Sequence, residues 1–446
     1  MTLSNKLFIF IFIAVPVMIL SSCKTDFENI TYNDGNADFS RVVAVGGSHL
    51  AGYGDRALYL ESQSNSIPAI LANRFAFVDG GSFTQPLVHP GVGIGIYGNA
   101  KYVLQNVLDP CLTGNILMPQ PSADSGDFSN YNWLGNLFIY NNLSVPNTRI
   151  GDLTSQSFGD PSPFLGNPLY ARFASQPGTS TISGDALLLN PTFVEIWMGM
   201  EDIYNYARSG GEEGGDSITD PAVFDLKYTN LINEVTSLNA EGVLMNIPGI
   251  SYLPFFTEFP YNGLQLTAAE AADLNALYAV VDPSITFVPG ANPYVIADPS
   301  SPTGRRPIHP GEYILLSVSR DSINCQGWGT TVPISARYVL DQDETALIIS
   351  AINSYNNTIA TNAAVKGLAL CDMNTFYRTL KSGVLVNAVN YSSEYIYGGA
   401  FSTDGYHPSQ RGNAVLSNEI INTINRYYSS NIPLADVNAY PGIVFP

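Results

Sequence analysis

Four short apolar runs, spaced far apart along 446 residues, set the strongest limit on how this chain can fold. They are Arg41 to Val45, Phe193 to Met198, Gly242 to Ile247 and Gly367 to Leu370. Each has the length of a strand buried on both faces, and the first stops at Gly46-Gly47 as a strand entering a tight turn would. Helix-like stretches lie between them. The clearest spans about Asp343 to Val365, with Leu347, Ala351, Tyr355 and Ile359 four residues apart and Gly367 as the stop. A last helix is predicted from Pro408, with Val415, Leu416, Ile420, Ile424 and Tyr428 as its apolar stripe. Strands alternating with helices imply an α/β fold, a doubly wound parallel sheet between two helical layers. A core of that kind takes roughly 200 residues, so about half of the chain must be insertions. Candidates are residues 80–140 and 154–187, both irregular in pattern, and 251–337, which holds an aromatic cluster (Tyr252, Phe255, Phe256, Phe259, Tyr261) and a helix near Thr267 to Val281.

The amino terminus reads as an address rather than as fold. Lys6 precedes the apolar run Leu7 to Leu20, too short and too interrupted by Pro16 to span a bilayer comfortably. The run ends in Leu20-Ser21-Ser22-Cys23, the small-residue approach to a cysteine that lipoprotein signal peptidase requires. Residues 1–22 are therefore expected to be a lipoprotein signal peptide, Cys23 the lipidated terminus, and 23–38 a polar tether. The expected location is the bacterial outer membrane, on its periplasmic or cell-surface side. Asp26 and Glu28 are either a surface-export signal or simple solvation.

Charge and cysteines exclude several classes of function. Thirty-eight acids against 19 bases give a net charge of −19, which repels a phosphate backbone, so nucleic acid is not an expected partner. Three cysteines remain beside Cys23 (Cys111, Cys325, Cys371), enough for one disulfide at most. With four scattered histidines, no zinc cluster and no cofactor is expected. Gly93 to Gly98 satisfies the spacing GxGxxG, but His89-Pro90-Gly91 stands where a strand would have to lead in, which argues against a dinucleotide site. His89 and His309, each beside a proline, read as loop-bracing residues.

Chemistry in a doubly wound sheet gathers at the carboxyl ends of the strands. Ser48 follows the first run by three residues, after two glycines that permit a tight turn. Asp404-Gly405-Tyr406-His407-Pro408 lies just before the last helix, and an Asp three residues ahead of a His can hold the imidazole while it faces a serine.

These residues sit in four blocks: VAVGGSHLAGYGDRALYLESQSNSIPAILANRF, NNLSVPNTRIGDL (141–153), EIWMGMEDIYNYA (195–207) and GGAFSTDGYHPSQRG (398–412). Together they resemble the blocks of the SGNH (GDSL-type) hydrolases, and in wording the large lipoprotein branch of Bacteroidetes-type bacteria, over residues 39–446. The resemblance implies a three-layer, flavodoxin-like α/β/α fold and an esterase or acyl hydrolase. Ser48 would be nucleophile, His407 the base and Asp404 its orienting acid, acting on an ester-bearing lipid or carbohydrate. The family's oxyanion hole uses the serine N–H, a block-two glycine N–H and a block-three asparagine amide, which here are Ser48, Asn147 and Glu201. Gly47 replaces the usual Asp and His49 the usual hydrophobic residue. A lost oxyanion donor costs roughly 3–4 kcal/mol, and a carboxylate about 4 Å from the oxyanion adds repulsion of roughly 4 kcal/mol at an effective dielectric near 20. Glu201 is thus expected either to act as a neutral donor or to pair with Arg149 or Arg56. Asp202, Asp152 and Asp372 read as loop braces. Two functions follow from this: a serine esterase, or a catalytically weakened lipoprotein serving as accessory subunit to an outer-membrane β-barrel protein.

Overall fold

The computed structural model describes residues 31–109, 111, 114–135, 139–162 and 165–446. The expected signal peptide, Cys23 and the first part of the tether lie outside them. The packed body reaches back to Tyr32 rather than beginning at Phe39, because Asn36 donates to the Tyr428 carbonyl and Asp38 to the Glu241 carboxylate.

The core follows the expected alternation. In chain order it comprises β1 (Val42–Gly46), α1 (Ile67–Phe75), β2 (Phe193–Trp197), α2 (Met200–Ser209), α3 (Pro221–Thr236), β3 (Glu241–Met245), α4 (Gln342–Lys366), β4 (Ala369–Cys371) and α5 (Gln410–Tyr428). The four strands form one parallel sheet in the order β1-β2-β3-β4. Asn142–Val145 runs parallel along the free edge of β1, with Leu143 donating to Ala44 and Val145 to Gly46. Every residue of β1 and β2 is buried, which is why both read as continuous apolar runs.

Helices cover both faces and make the fold a three-layer α/β/α sandwich. On one side α1 packs on α5, and Phe193 of β2 meets Phe75 and Tyr428 there. On the other α3 packs on α4, where Phe224 stacks on Tyr355 at 3.8 Å between ring centroids and Thr358 donates to Asp225. Caps fix the helix ends: Asp341 and Glu344 form a reciprocal box at the start of α4, and Gly367 closes it at φ 66°. Two details differ from the sequence reading. Leu347 faces solvent, and the buried stripe of α4 runs through Ile348, Ala351, Ile352, Tyr355 and Ile359. The last helix starts at Gln410, not Pro408, because the Ser409 hydroxyl accepts the Gly412 N–H and acts as its cap.

The intervening segments carry structure of their own. Residues 80–140 contain a hairpin, Tyr102–Leu108 with Asn115–Pro121, whose second strand is disguised in the sequence by Pro119 and Pro121. Segment 251–337 builds two satellite cores, one around Phe259, Tyr294 and Ile308 and one around Tyr278 and Phe287, while Phe256 joins the main core. A Cys111–Cys325 disulfide ties the hairpin to this segment, and Cys371 is free and buried. The GxGxxG glycines form no strand-turn-helix unit: Ile94 bridges to Leu58 and Gly95 donates to Asn99. Among the described residues no helix is long and apolar enough to cross a membrane, and no group of three acid, histidine or cysteine side chains is placed to hold a metal ion.

Candidate active site

The end of β1, the edge segment beside it, the second half of α2 and the loop before α5 converge on a cleft of about 520 Å³ lined by Ser48, Asn147, Asn205, Asp404 and His407. β1 delivers Ser48 through Gly46-Gly47 onto the first turn of a short helix, where Ala51 donates to the Gly47 carbonyl. The edge segment beside β1 delivers Asn147, whose backbone N–H donates to Ser48 Oγ at 3.1 Å. Asn147 sits at φ 64°, in the left-handed region that asparagine tolerates better than most side chains and that glycine adopts freely.

The loop before α5 builds the acid–imidazole pair. Gly405, at φ 69°, lets the chain fold back so that Ser402 donates to the His407 carbonyl. Asp404 Oδ1 accepts the N–H groups of Tyr406 (2.9 Å) and His407 (2.8 Å), and Oδ2 meets His407 Nδ1 at 2.8 Å. The Arg56 N–H also donates to Oδ2, at 3.2 Å. Burial pushes the Asp404 carboxyl up, but the imidazole and these N–H groups outweigh it and hold the acid well below the usual carboxylate range. His407 Nε2 is buried without a hydrogen-bond partner, and no hydrogen bond joins it to Ser48, although both residues line the cleft. His49 packs its ring 5.3 Å from that of His407 and against Trp197 and Tyr406, and burial drives its pKa well below the ordinary imidazole value.

Glu201 does neither of the things expected of it from the sequence. It pairs with neither Arg149, which holds Asp216, nor Arg56. Its buried Oε1 accepts the Ser48 backbone N–H at 2.7 Å from behind the nucleophile, and it is not among the groups lining the cleft. The Ser48 N–H, expected as an oxyanion donor, is therefore already occupied. Gly47 makes this possible, since a Cβ there would lie 2.2 Å from Glu201 Oε2. Asp202 braces the neighbouring loops by accepting from Ile150 and Thr219, and burial raises its carboxyl to about 7. Asp152 and Asp372 cap backbone N–H groups as expected, and His89 and His309 sit in loop contacts with Ser129 and Glu312.

Sequence reading missed the second half of α2. Asn205 follows Glu201 by four residues and Arg208 follows Asn205 by three, so the three share one helix face. Asn205 Nδ2 donates to Asn147 Oδ1 at 2.7 Å, and Arg208 donates to Asn205 Oδ1 at 3.0 Å, so a polar chain runs from α2 to the nucleophile's neighbour. The spacing in EDIYNYAR was the available signal.

No family model and no curated protein matches the chain. Solved structures of similar shape include an acetylxylan esterase from Geobacillus stearothermophilus (9% identity, TM-score 0.36, 88% of this chain and 98% of that one). A lipase/acylhydrolase from Enterococcus faecalis gives 12% identity and a TM-score of 0.32, over 89% and 100% of the two chains. A protein described as a GDSL-like lipase from Parabacteroides merdae gives 9% and 0.35, over 88% and 99%. Likeness at this level carries no argument about chemistry, which rests on the geometry of the cleft.

Proposed function

We propose that the protein is a serine hydrolase of acyl esters, of SGNH type, carried on lipid at Cys23 at the bacterial outer membrane. The observation that supports it is the meeting in one cleft of Ser48, its hydroxyl against the Asn147 N–H, with a buried Asp404–His407 pair whose Nε2 is free. In this reading Ser48 Oγ attacks the ester carbonyl and passes its proton to His407 Nε2. The imidazolium, steadied by Asp404, protonates the departing alcohol, and water then releases the acid from the acyl-serine by the same route. The Asn147 N–H shifts from Ser48 Oγ to the developing oxyanion. Labelling by a fluorophosphonate probe tests this directly: wild-type protein labels and turns over p-nitrophenyl acetate, and Ser48→Ala does neither. Equal turnover by the two proteins removes Ser48 from the reaction.

A second reading is favoured by the occupied Ser48 N–H. In it the triad is silent and the body serves as an accessory subunit to an outer-membrane barrel protein. Absence of probe labelling together with stoichiometric recovery of a barrel protein from mild detergent distinguishes it.

A further inference from the structure

We propose that the cleft is built for esters whose non-reacting part carries an anionic group, a carboxylate or a phosphate, held by Arg208 and Arg56. The inference rests on the hydrolase reading for its ester and on two guanidinium groups for its anion. Both arginines line the cleft with Ser48 and His407. Among the described residues neither forms an ion pair, in a chain where acids outnumber bases two to one.

The carboxylates that share the cleft are engaged elsewhere. Asp404 is spent on His407 and three backbone N–H groups, and Asp216 on Arg149 and the Ser217 N–H. Among the charged side chains that line the cleft, the two guanidinium groups are thus the ones left without an ion-pair partner, and a cation of that kind attracts an anion. Each guanidinium is also fixed in place. Arg208 lies 4.3 Å over the ring of Tyr406, the residue before His407, and its Nε is buried with no acceptor. Arg56 lies 4.5 Å over the ring of Tyr102, and its own N–H is tied to Asp404. Stacking engages the guanidinium faces, so apart from the buried Arg208 Nε and the N–H that Arg208 gives to Asn205 Oδ1, the edges stay available to a planar or tetrahedral oxyanion. The two side chains arrive from different elements, the loop at 55–56 and the end of α2, and each is anchored next to the triad.

The test compares matched esters at low ionic strength: 4-acetoxybenzoate and 4-acetoxyphenyl phosphate against neutral methyl 4-acetoxybenzoate. The expected kcat/KM ratio for at least one anionic ester over the neutral one is about tenfold or more, the scale of one charge-assisted contact. Which anion gains more separates carboxylate from phosphate. The preference falls toward one in Arg56→Gln/Arg208→Gln and shrinks with added salt. A wild-type ratio near one for both anions, or a preference that survives in the folded double variant, overturns the proposal. Calorimetric binding of the same esters to Ser48→Ala protein gives an independent reading, with at least one anion expected to bind about tenfold tighter than the methyl ester. Equal binding overturns the anion site. Tighter anion binding with no turnover of any ester by wild-type protein upholds it while overturning the hydrolase reading.

Discussion

Glu201 Oε1 and the Ser48 backbone N–H meet at 2.7 Å, so the turn that presents the nucleophile is held from behind by a carboxylate. Its Oε2 is buried without a partner. That arrangement steadies the turn but places an acidic group behind the serine at which a carbonyl oxygen gains charge. Replacing Glu201 by Gln keeps an oxygen that can accept the Ser48 N–H and removes the acid. Two like charges about 4 Å apart repel by roughly 4 kcal/mol when the effective dielectric is near 20, and by less as they separate. Glu201→Gln is therefore expected to raise kcat/KM for p-nitrophenyl acetate by about tenfold or more, equivalent to about 1.4 kcal/mol. A lower rate in a variant of unchanged thermal stability shows instead that the acid takes part in the reaction.

Gly47 and Glu201 form a steric pair. A methyl group at 47 would sit within 2.2 Å of Glu201 Oε2, and the carboxylate cannot retreat without releasing the Ser48 N–H. Gly47→Ala alone is expected to lower the unfolding midpoint and the labelling rate of Ser48. Glu201→Ala vacates that space, so the double variant is expected to recover part of the loss. The coupling between substitutions in contact is typically about 0.5–3 kcal/mol. Strict additivity across the four proteins, measured by urea unfolding, shows that the two positions do not touch.

How much of this was legible in the sequence follows from how local each feature is. β1, β2 and the Ser48 turn were readable because a fully buried strand ending in glycines leaves a short-range pattern. Asp404 and His407 were readable because their contact is three residues long. The role of Glu201 was not, since it depends on a partner 153 residues away, and the two roles foreseen for it were set by its chemistry rather than by where α2 points. Asn205 and Arg208 escaped for the same reason: helical spacing puts them on the Glu201 face, but only the register of the edge segment brings Asn147 to that face. The hairpin at 102–121 was hidden by prolines in a half-buried ladder without a clear inside–outside alternation.

The Cys111–Cys325 disulfide closes a loop with a sequence separation of 214 residues between two segments outside the core sheet. A crosslink of that span restricts the unfolded chain strongly, and removal of native disulfides typically costs about 2–5 kcal/mol. The double variant Cys111→Ser/Cys325→Ser is expected to lose stability on that scale in urea unfolding. Because neither cysteine lines the cleft, Ser48 labelling at temperatures well below unfolding should persist. An unchanged urea midpoint shows that the bridge does not restrict the unfolded chain.

Glu195 lies in the middle of β2 and shares the face of Phe193, toward α1 and α5. It is fully buried, both oxygens lack partners, and burial raises its pKa well above the ordinary value. Such a group stays protonated in the folded protein at pH values where the unfolded chain has already released the proton. The folded state then binds more protons, so stability is highest below the unfolded carboxyl pKa of about 4.3 and declines as pH rises toward the folded value. Asp202, raised to about 7, adds a decline of the same sign up to that pH. Glu195→Gln removes the first of these contributions while keeping the side-chain shape. Its unfolding midpoint is expected to exceed that of wild type by a margin that widens from pH 5 to pH 8. A margin that narrows over that range shows that Glu195 is charged and compensated in the fold, and the desolvation argument for this strand then fails.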